Sequence, residues 1–181
     1  MPQVEKGLSN FLAAAHHAAI CQAEGGRIAR SARSDLNIGT TFSSSHIDPI
    51  SQQEDDLLAS RKVDALLNRT FIEPLLGMGY PFKDLPMLHR LEPFIKDGDE
   101  DRLAFNMDFI GIQNYTREVA EHSFFTPLIQ AKIIKANERK VERTLMNWEV
   151  YPEAIYLILK KISAYKNIPE IIVTENGAAL F

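Results

Sequence analysis

The sequence alternates three times between a helical pattern and a short apolar run rich in β-branched residues. The three runs are Leu36–Phe42, Phe109–Ile112 and Ile171–Val173, and a helical pattern precedes each of them. Such alternation is typical of a parallel sheet, because parallel neighbours need a long crossover connection that a helix usually supplies. The order therefore predicts an α/β fold with about three βα units.

The length of the chain limits how much of such a fold it can contain. It has 181 residues, and 45% of them are hydrophobic, which is enough for one compact domain with its own core. A complete (β/α)8 barrel, however, typically needs about 250 residues. We therefore expect a single domain over residues 1–181 that is too short to close a barrel.

The first helical pattern extends from about Leu8 to Arg33 and is rich in alanine, the best helix former. The pair Gly25-Gly26 weakens this prediction, since each glycine costs about 1 kcal/mol relative to alanine in a helix. His16 and His17 are adjacent, so on a helix they point in different directions and cannot bind one metal as an i, i+4 pair could. They are interpreted as core or interface histidines.

Polar side chains follow the second and third strands at the point where each strand ends. Gln113, Asn114 and Tyr115 follow Phe109–Ile112, and Glu175 follows the run that begins at Ile171. In parallel α/β proteins these strand ends face the ligand crevice. A carboxylate there is placed to do chemistry, although for Glu175 taken alone a turn cap or a solvated loop acid is the better interpretation.

Charge and composition exclude several classes of function. The net charge is −4, and the one basic cluster falls in Arg117–Thr144, without interleaved aromatic residues that could stack on bases, so nucleic acid is not expected as a partner. That segment is predicted to be a long exposed loop, and the acidic run Asp97–Asp101 a solvated turn. No apolar stretch is long enough to span a membrane. The single cysteine, Cys21, agrees with a reducing compartment, so the predicted location is the cytoplasm.

Four motifs, in this order and spacing, resemble the second half of the family 1 glycoside hydrolases, the β-glucosidase and β-galactosidase type. They are Gly77–Pro81, Asp108–Thr116, Met146–Glu153 and Thr174–Gly177. The resemblance implies a partial (β/α)8 barrel that extends from helix four to strand seven. A combination of four concordant motifs is far more specific than any one of them.

The resemblance also implies a reaction and its residues. In this family the glutamate of the Thr-Glu-Asn-Gly motif is the nucleophile of a retaining β-glycosidase, which assigns that role to Glu175, and Tyr115 would hydrogen-bond to it. Gln113 replaces the family's asparagine as a substrate-binding amide. The implied substrate is a small β-glucoside-like glycoside, and no metal or cofactor is expected because the mechanism needs neither. Trp148 is interpreted as a packing residue without a site role, in a motif where Asn147 replaces a usual glycine.

One expected element of the mechanism does not occur in the sequence. The family's acid/base glutamate belongs to an Asn-Glu-Pro motif, which the 181 residues do not contain and which would lie before Met1. We therefore expect a piece of a barrel that lacks turnover alone and that associates with the missing barrel half or with itself through exposed sheet edges. The alternative is a non-catalytic half-barrel that binds sugar or another partner.

Overall fold

The computed structural model describes residues 7–166, 168 and 170–179. The helices are α1 (Leu8–Ala32), α2 (Glu54–Asp64), α3 (Thr70–Leu75), α4 (Asp99–Leu103), α5 (Ala136–Arg139) and α6 (Glu153–Ile162), with a π-helical segment at Ala65–Arg69 and a 3-10 helix at Pro86–Phe94. The strands are β1 (Gly39–Ser43), β2 (His46–Pro49), β3 (Phe109–Gln113), β4 (Arg117–His122), β5 (Ala131–Ile133) and β6 (Ile171–Glu175).

The first sheet is formed by the three strands that the sequence predicts. Its order is β1-β3-β6, and both pairings are parallel. Helices connect these strands, so the predicted α/β fold with about three βα units is confirmed. Within the described residues the three strands leave the outer edges of β1 and β6 unpaired rather than closing into a barrel.

One face of this sheet is covered by helices. Phe42, Ile110 and Ile112 from the strands pack against Ile72 of α3 and Ile158 of α6 in the largest buried cluster. Burial of such side chains stabilises a fold by about 1.5–3 kcal/mol each. The opposite face of the sheet includes Ile172, which is more than one-third exposed. The two faces therefore differ, and the polar residues at the strand ends lie on the uncovered one.

The second sheet corrects the prediction of a long exposed loop over Arg117–Thr144. In its place the chain forms β4, β5 and α5, and β4 pairs parallel with β2 and antiparallel with β5. The basic residues of this segment are partly neutralised: Lys132 contacts Glu121 at 2.7 Å, and Arg139 contacts Glu149 at 2.7 Å. The segment is half-buried. The pairing of its strands, and not hydrophobic periodicity, determines where it lies.

Helix α1 continues through Gly25-Gly26 without a break. His16 is fully buried, as expected for a core histidine, whereas His17 is exposed. His16 contacts the hydroxyl of Tyr80 at 2.9 Å and the carboxylate of Asp99 at 3.1 Å. Asp99 is therefore buried, so the expectation of a solvated turn is wrong for this residue of the acidic run.

Candidate active site

The polar ends of the three parallel strands lie side by side. In the register of the sheet Ser43 pairs with Gln113, and Gln113 pairs with Glu175. The register between β3 and β6 shifts after Ile112, so that Thr174 is an extra residue in β6. Such a bulge changes the direction of the side chain that follows it. It places Glu175 next to Gln113.

Both oxygens of the Glu175 carboxylate accept a hydrogen bond from β3 or the residues just after it. The side-chain amide of Gln113 donates to Oε1 at 2.7 Å. The hydroxyl of Tyr115 donates to Oε2. These two bonds fix the position of both carboxylate oxygens. The three residues that the sequence singles out therefore meet, with Glu175 on the exposed side of the sheet.

The phenol of Tyr115 remains protonated at neutral pH. Its hydrogen bond to Glu175 raises the pKa of Tyr115 above the ordinary value, and desolvation and the negative charge of Glu175 act in the same direction. A tyrosine normally loses its proton near pH 10. Tyr115 is thus a permanent donor toward Glu175 over the physiological range.

Trp148, which the sequence predicts to be a packing residue, lies next to this group. Its ring centroid is 5.2 Å from that of Tyr115, and about one-third of the residue is exposed. Asn147 precedes it in the left-handed conformation, with φ 61°. The family usually has glycine where this chain has Asn147. Because glycine favours such turns, the resemblance gave a signal for this one.

A hydrogen bond and an ion pair connect the segment that contains Trp148 to the residues that follow β3. The Thr116 hydroxyl donates to the backbone oxygen of Glu149 at 2.9 Å. The Arg117 guanidinium donates to both carboxylate oxygens of Glu149, at 2.9 and 3.0 Å. Burial disfavours charge on Glu149, but the hydrogen bonds from Arg117 and Arg139 lower its pKa below the usual value. Because Arg117 lies only two residues after Tyr115, these bonds set the distance between Tyr115 and Trp148.

A cavity of about 400 Å³ opens beside the indole. Its lining includes Glu118, Lys135, Asn137 and Arg139 as well as Trp148. Burial raises the pKa of Glu118, only partly opposed by the nearby charge of Arg139. The cavity is polar and is bounded by Trp148, whereas Gln113, Tyr115 and Glu175 do not line it.

Metal-binding clusters and membrane-spanning helices are both absent from the described part of the chain. No group of three or more His, Cys, Asp or Glu side chains is placed there to hold a metal ion. None of the helices in that part is long and apolar enough to cross a membrane.

Comparison with known proteins gives concordant results. Among curated proteins, β-glucosidase A of Thermotoga maritima is 32% identical over 167 residues, which are 92% of this chain and 36% of that protein. β-Glucosidase A of Acetivibrio thermocellus is 27% identical, with 96% of this chain and 39% of that protein aligned. The chain therefore spans little more than one-third of the length of these curated relatives.

Solved structures agree with the fold. The family 1 β-glucosidase from Thermotoga maritima superposes with a TM-score of 0.84 at 26% identity, over 99% of this chain and 40% of that one. The AHE enzyme from Alicyclobacillus herbarius gives a TM-score of 0.87 at 27% identity, with the same two coverages. The expected partial (β/α)8 barrel is thereby confirmed. The model of glycosyl hydrolase family 1 matches residues 1–181, and the chain belongs to this family.

Proposed function

We propose that this protein acts in the hydrolysis of β-glucoside-like substrates with retention of configuration, and that Glu175 is the nucleophile. The observation that supports this proposal is the hydrogen-bonded carboxylate at the end of β6. Both of its oxygens are held by neutral donors, Gln113 and Tyr115, on the uncovered face of a parallel sheet. Chemistry in barrel enzymes takes place at that end of the strands.

In the proposed reaction a carboxylate oxygen of Glu175 attacks the anomeric carbon of the sugar. A carbon–oxygen bond to the enzyme forms, the glycosidic bond breaks, and water later hydrolyses the ester. Tyr115 orients the carboxylate through its donated hydrogen bond. The amide of Gln113, which we propose binds substrate, donates to the same carboxylate.

Retaining hydrolysis also requires a second carboxyl group, about 5 to 5.5 Å from the first, to protonate the leaving oxygen. The Asn-Glu-Pro motif that provides it in this family does not occur in the 181 residues. The second candidate is a module that binds β-glycosides without cleaving them, and the hydrogen-bonding and aromatic groups around Glu175 would serve either role. The two candidates differ in whether Glu175 forms a covalent bond.

The test is incubation with a 2-fluoro-2-deoxy-β-glucoside that has an activated leaving group, followed by intact mass and peptide mapping. This reagent does not need an acid catalyst, because its leaving group departs unprotonated. We expect one adduct, on Glu175, and no adduct in the Glu175→Gln variant. Glu170→Gln is the matched control, since Glu170 is an exposed glutamate just before the same strand.

Labelling of Glu175 would support the nucleophile. Binding of the glycoside without any adduct, in folded protein, would favour the sugar-binding module. An adduct that persists in Glu175→Gln would show that a different residue attacks.

A further inference from the structure

We infer that Asn114 is a positioning residue for Glu175, which it influences by holding the ends of three strands in register. This inference rests on the proposed function of Glu175 and adds a residue to it. Asn114 occupies the variable position of the family's Asn-x-Tyr motif, between Gln113 and Tyr115. Its side chain does not contact the carboxylate.

The side-chain amide of Asn114 joins β3 to β1. Its nitrogen donates to the backbone oxygen of Ser44 at 2.8 Å and to the backbone oxygen of Thr116 at 3.0 Å. Asn114 is only 1% exposed, so these two carbonyl groups have little access to water. A buried carbonyl without a donor costs about 1–3 kcal/mol. One short neutral amide provides two donors, which neither a hydroxyl nor an apolar side chain can do.

The backbone of Asn114 joins β3 to β6. Its N–H donates to the backbone oxygen of Glu175 at 3.0 Å, and its carbonyl accepts from the side-chain amide of Asn176 at 2.6 Å. The backbone of Asn114 thus contacts the proposed nucleophile, Glu175, and the residue that follows it, Asn176. Together with Ser44, three strand ends converge on this one residue.

The bulge in β6 explains why such a residue is needed. Because Thr174 is an extra residue, the pairing of Gln113 with Glu175 departs from the regular ladder that aligns Ile112 with Val173. A bulge locally disrupts the ladder. The bonds of Asn114 act at the first position after this irregularity, so they fix where Gln113 and Tyr115 stand relative to Glu175.

The experiment compares Asn114→Ala with Asn68→Ala. Asn68 is also buried, and its amide donates to the backbone oxygen of Ser45 at 2.8 Å and to Asp64 at 2.7 Å. The control therefore removes similar hydrogen bonds from the same loop after β1 without contacting β3 or β6. Asn114→Ser retains one hydroxyl donor and serves as the milder variant should Asn114→Ala not fold.

Two measurements are made on each folded variant. The first is the rate at which the 2-fluoro-2-deoxy-β-glucoside labels Glu175. We expect Asn114→Ala to be about 10- to 100-fold slower, because a misplacement of about 1 Å costs up to about 100-fold, and Asn114→Ser to be intermediate. The second is the ultraviolet titration of the Tyr115 phenol, isolated from the other tyrosines by subtracting the Tyr115→Phe variant. Its pKa should fall toward the ordinary tyrosine value as the bond to Glu175 loosens.

The outcomes separate this inference from the proposed function. If the unchanged protein is not labelled but Asn114→Ala lowers the pKa of Tyr115, the nucleophile proposal fails and the positioning role stands. If labelling occurs and neither measurement differs between Asn114→Ala and Asn68→Ala, the positioning role is overturned. A merely structural asparagine would reduce stability without moving the titration of Tyr115.

Discussion

Tyr115 and Gln113 both donate to Glu175, but they differ in how they are held. The ring of Tyr115 packs beside Trp148 at 5.2 Å, and the residues that follow it are tied to Glu149. The Gln113 side chain is longer than the asparagine it replaces and has one more rotatable bond. We therefore expect Tyr115 to contribute more to the orientation of the carboxylate.

Removal of the Tyr115 hydroxyl provides a direct test of this expectation. Tyr115→Phe should label about 10- to 100-fold more slowly, because the carboxylate loses a donor that orients it and a misplacement of about 1 Å costs up to about 100-fold in rate. The measurement is the pseudo-first-order rate of adduct formation by mass spectrometry. Tyr156→Phe is the control, since Tyr156 is an exposed tyrosine on α6. Equal rates in Tyr115→Phe and the unchanged protein would contradict a role for the hydroxyl.

The sequence predicted which residues form the candidate site but not how they contact one another. Glu175 and Tyr115 were found because strand ends and a four-motif resemblance both point to them. The bond from Gln113 to Glu175 could not be predicted, since it depends on a one-residue bulge that hydrophobic periodicity does not encode. The position of Trp148 beside Tyr115 could not be predicted either, because it depends on tertiary contacts such as the hydrogen bond from Thr116 to Glu149.

The two adjacent glycines of α1 have opposite surroundings. A Cβ atom on Gly26 would lie 2.6 Å from the ring of Phe105, whereas a Cβ on Gly25 would meet nothing within 4 Å. The same ring lies 5.3 Å from the guanidinium of Arg30. Gly26 thus allows the close approach of α1 to the segment that leads into β3.

This difference predicts opposite effects of one substitution. Gly25→Ala should stabilise the protein by up to about 1 kcal/mol, because alanine favours a helix at an exposed position. Gly26→Ala should destabilise it by about 1–3 kcal/mol, because the added methyl group overpacks the contact with Phe105. Urea denaturation followed by circular dichroism measures both changes. A similar gain in both variants would show that α1 does not need the close approach.

Element prediction succeeded where local pattern and tertiary pairing agreed. Helix α1 and strand β3 were predicted close to their observed bounds, since alanine content and an apolar run identify them directly. The segment Arg117–Thr144 was predicted wrongly. Its strand β4 includes Arg117, Glu118 and Glu121, which have little intrinsic strand preference, and it forms because β2 and β5 lie on either side.

Across the molecule, the contacts of His16 link α1 to a distant part of the chain. Asp99, 83 positions later, accepts a hydrogen bond from the His16 ring and another from the backbone N–H of Lys96 at 2.8 Å. The Lys96 bond first, and the His16 bond next, lower the pKa of Asp99 below its ordinary value of 3.8. A carboxylate whose pKa is lowered by folding stabilises the fold above that ordinary value, and this contribution is lost as the pH falls through the folded-state pKa.

The hydrogen bonds of Asp99 therefore predict that the protein is less stable in acid. The free energy of unfolding should decrease between about pH 5 and about pH 2, and this decrease should be shallower in Asp99→Asn, which cannot lose a proton. Urea midpoints at several pH values measure the slope. Asp97→Asn, at an exposed position of the same acidic run, is the control. Identical slopes for Asp99→Asn and the unchanged protein would exclude Asp99 as the source.

The last prediction concerns the open sheet. Among the described strands β1 and β6 are each paired on one side only, and Ile172 and Val173 of β6 are 37% and 44% exposed. Unpaired strand edges next to apolar surface recruit further strands, so we propose that the chain associates through β6, with itself or with the remaining part of a family 1 barrel. Sedimentation velocity should show a mass that rises with concentration in the micromolar range.

The substitution Ile172→Lys should reduce this association, because a lysine on an edge strand opposes pairing with another strand. Ile28→Lys is the control: Ile28 is 68% exposed on α1, so the variant removes an even more exposed apolar side chain without altering the sheet. If both variants reduce association equally, general surface hydrophobicity is the cause. A loss specific to Ile172→Lys would identify β6 as the contact, which would mean that partner binding and the position of Glu175 depend on the same strand.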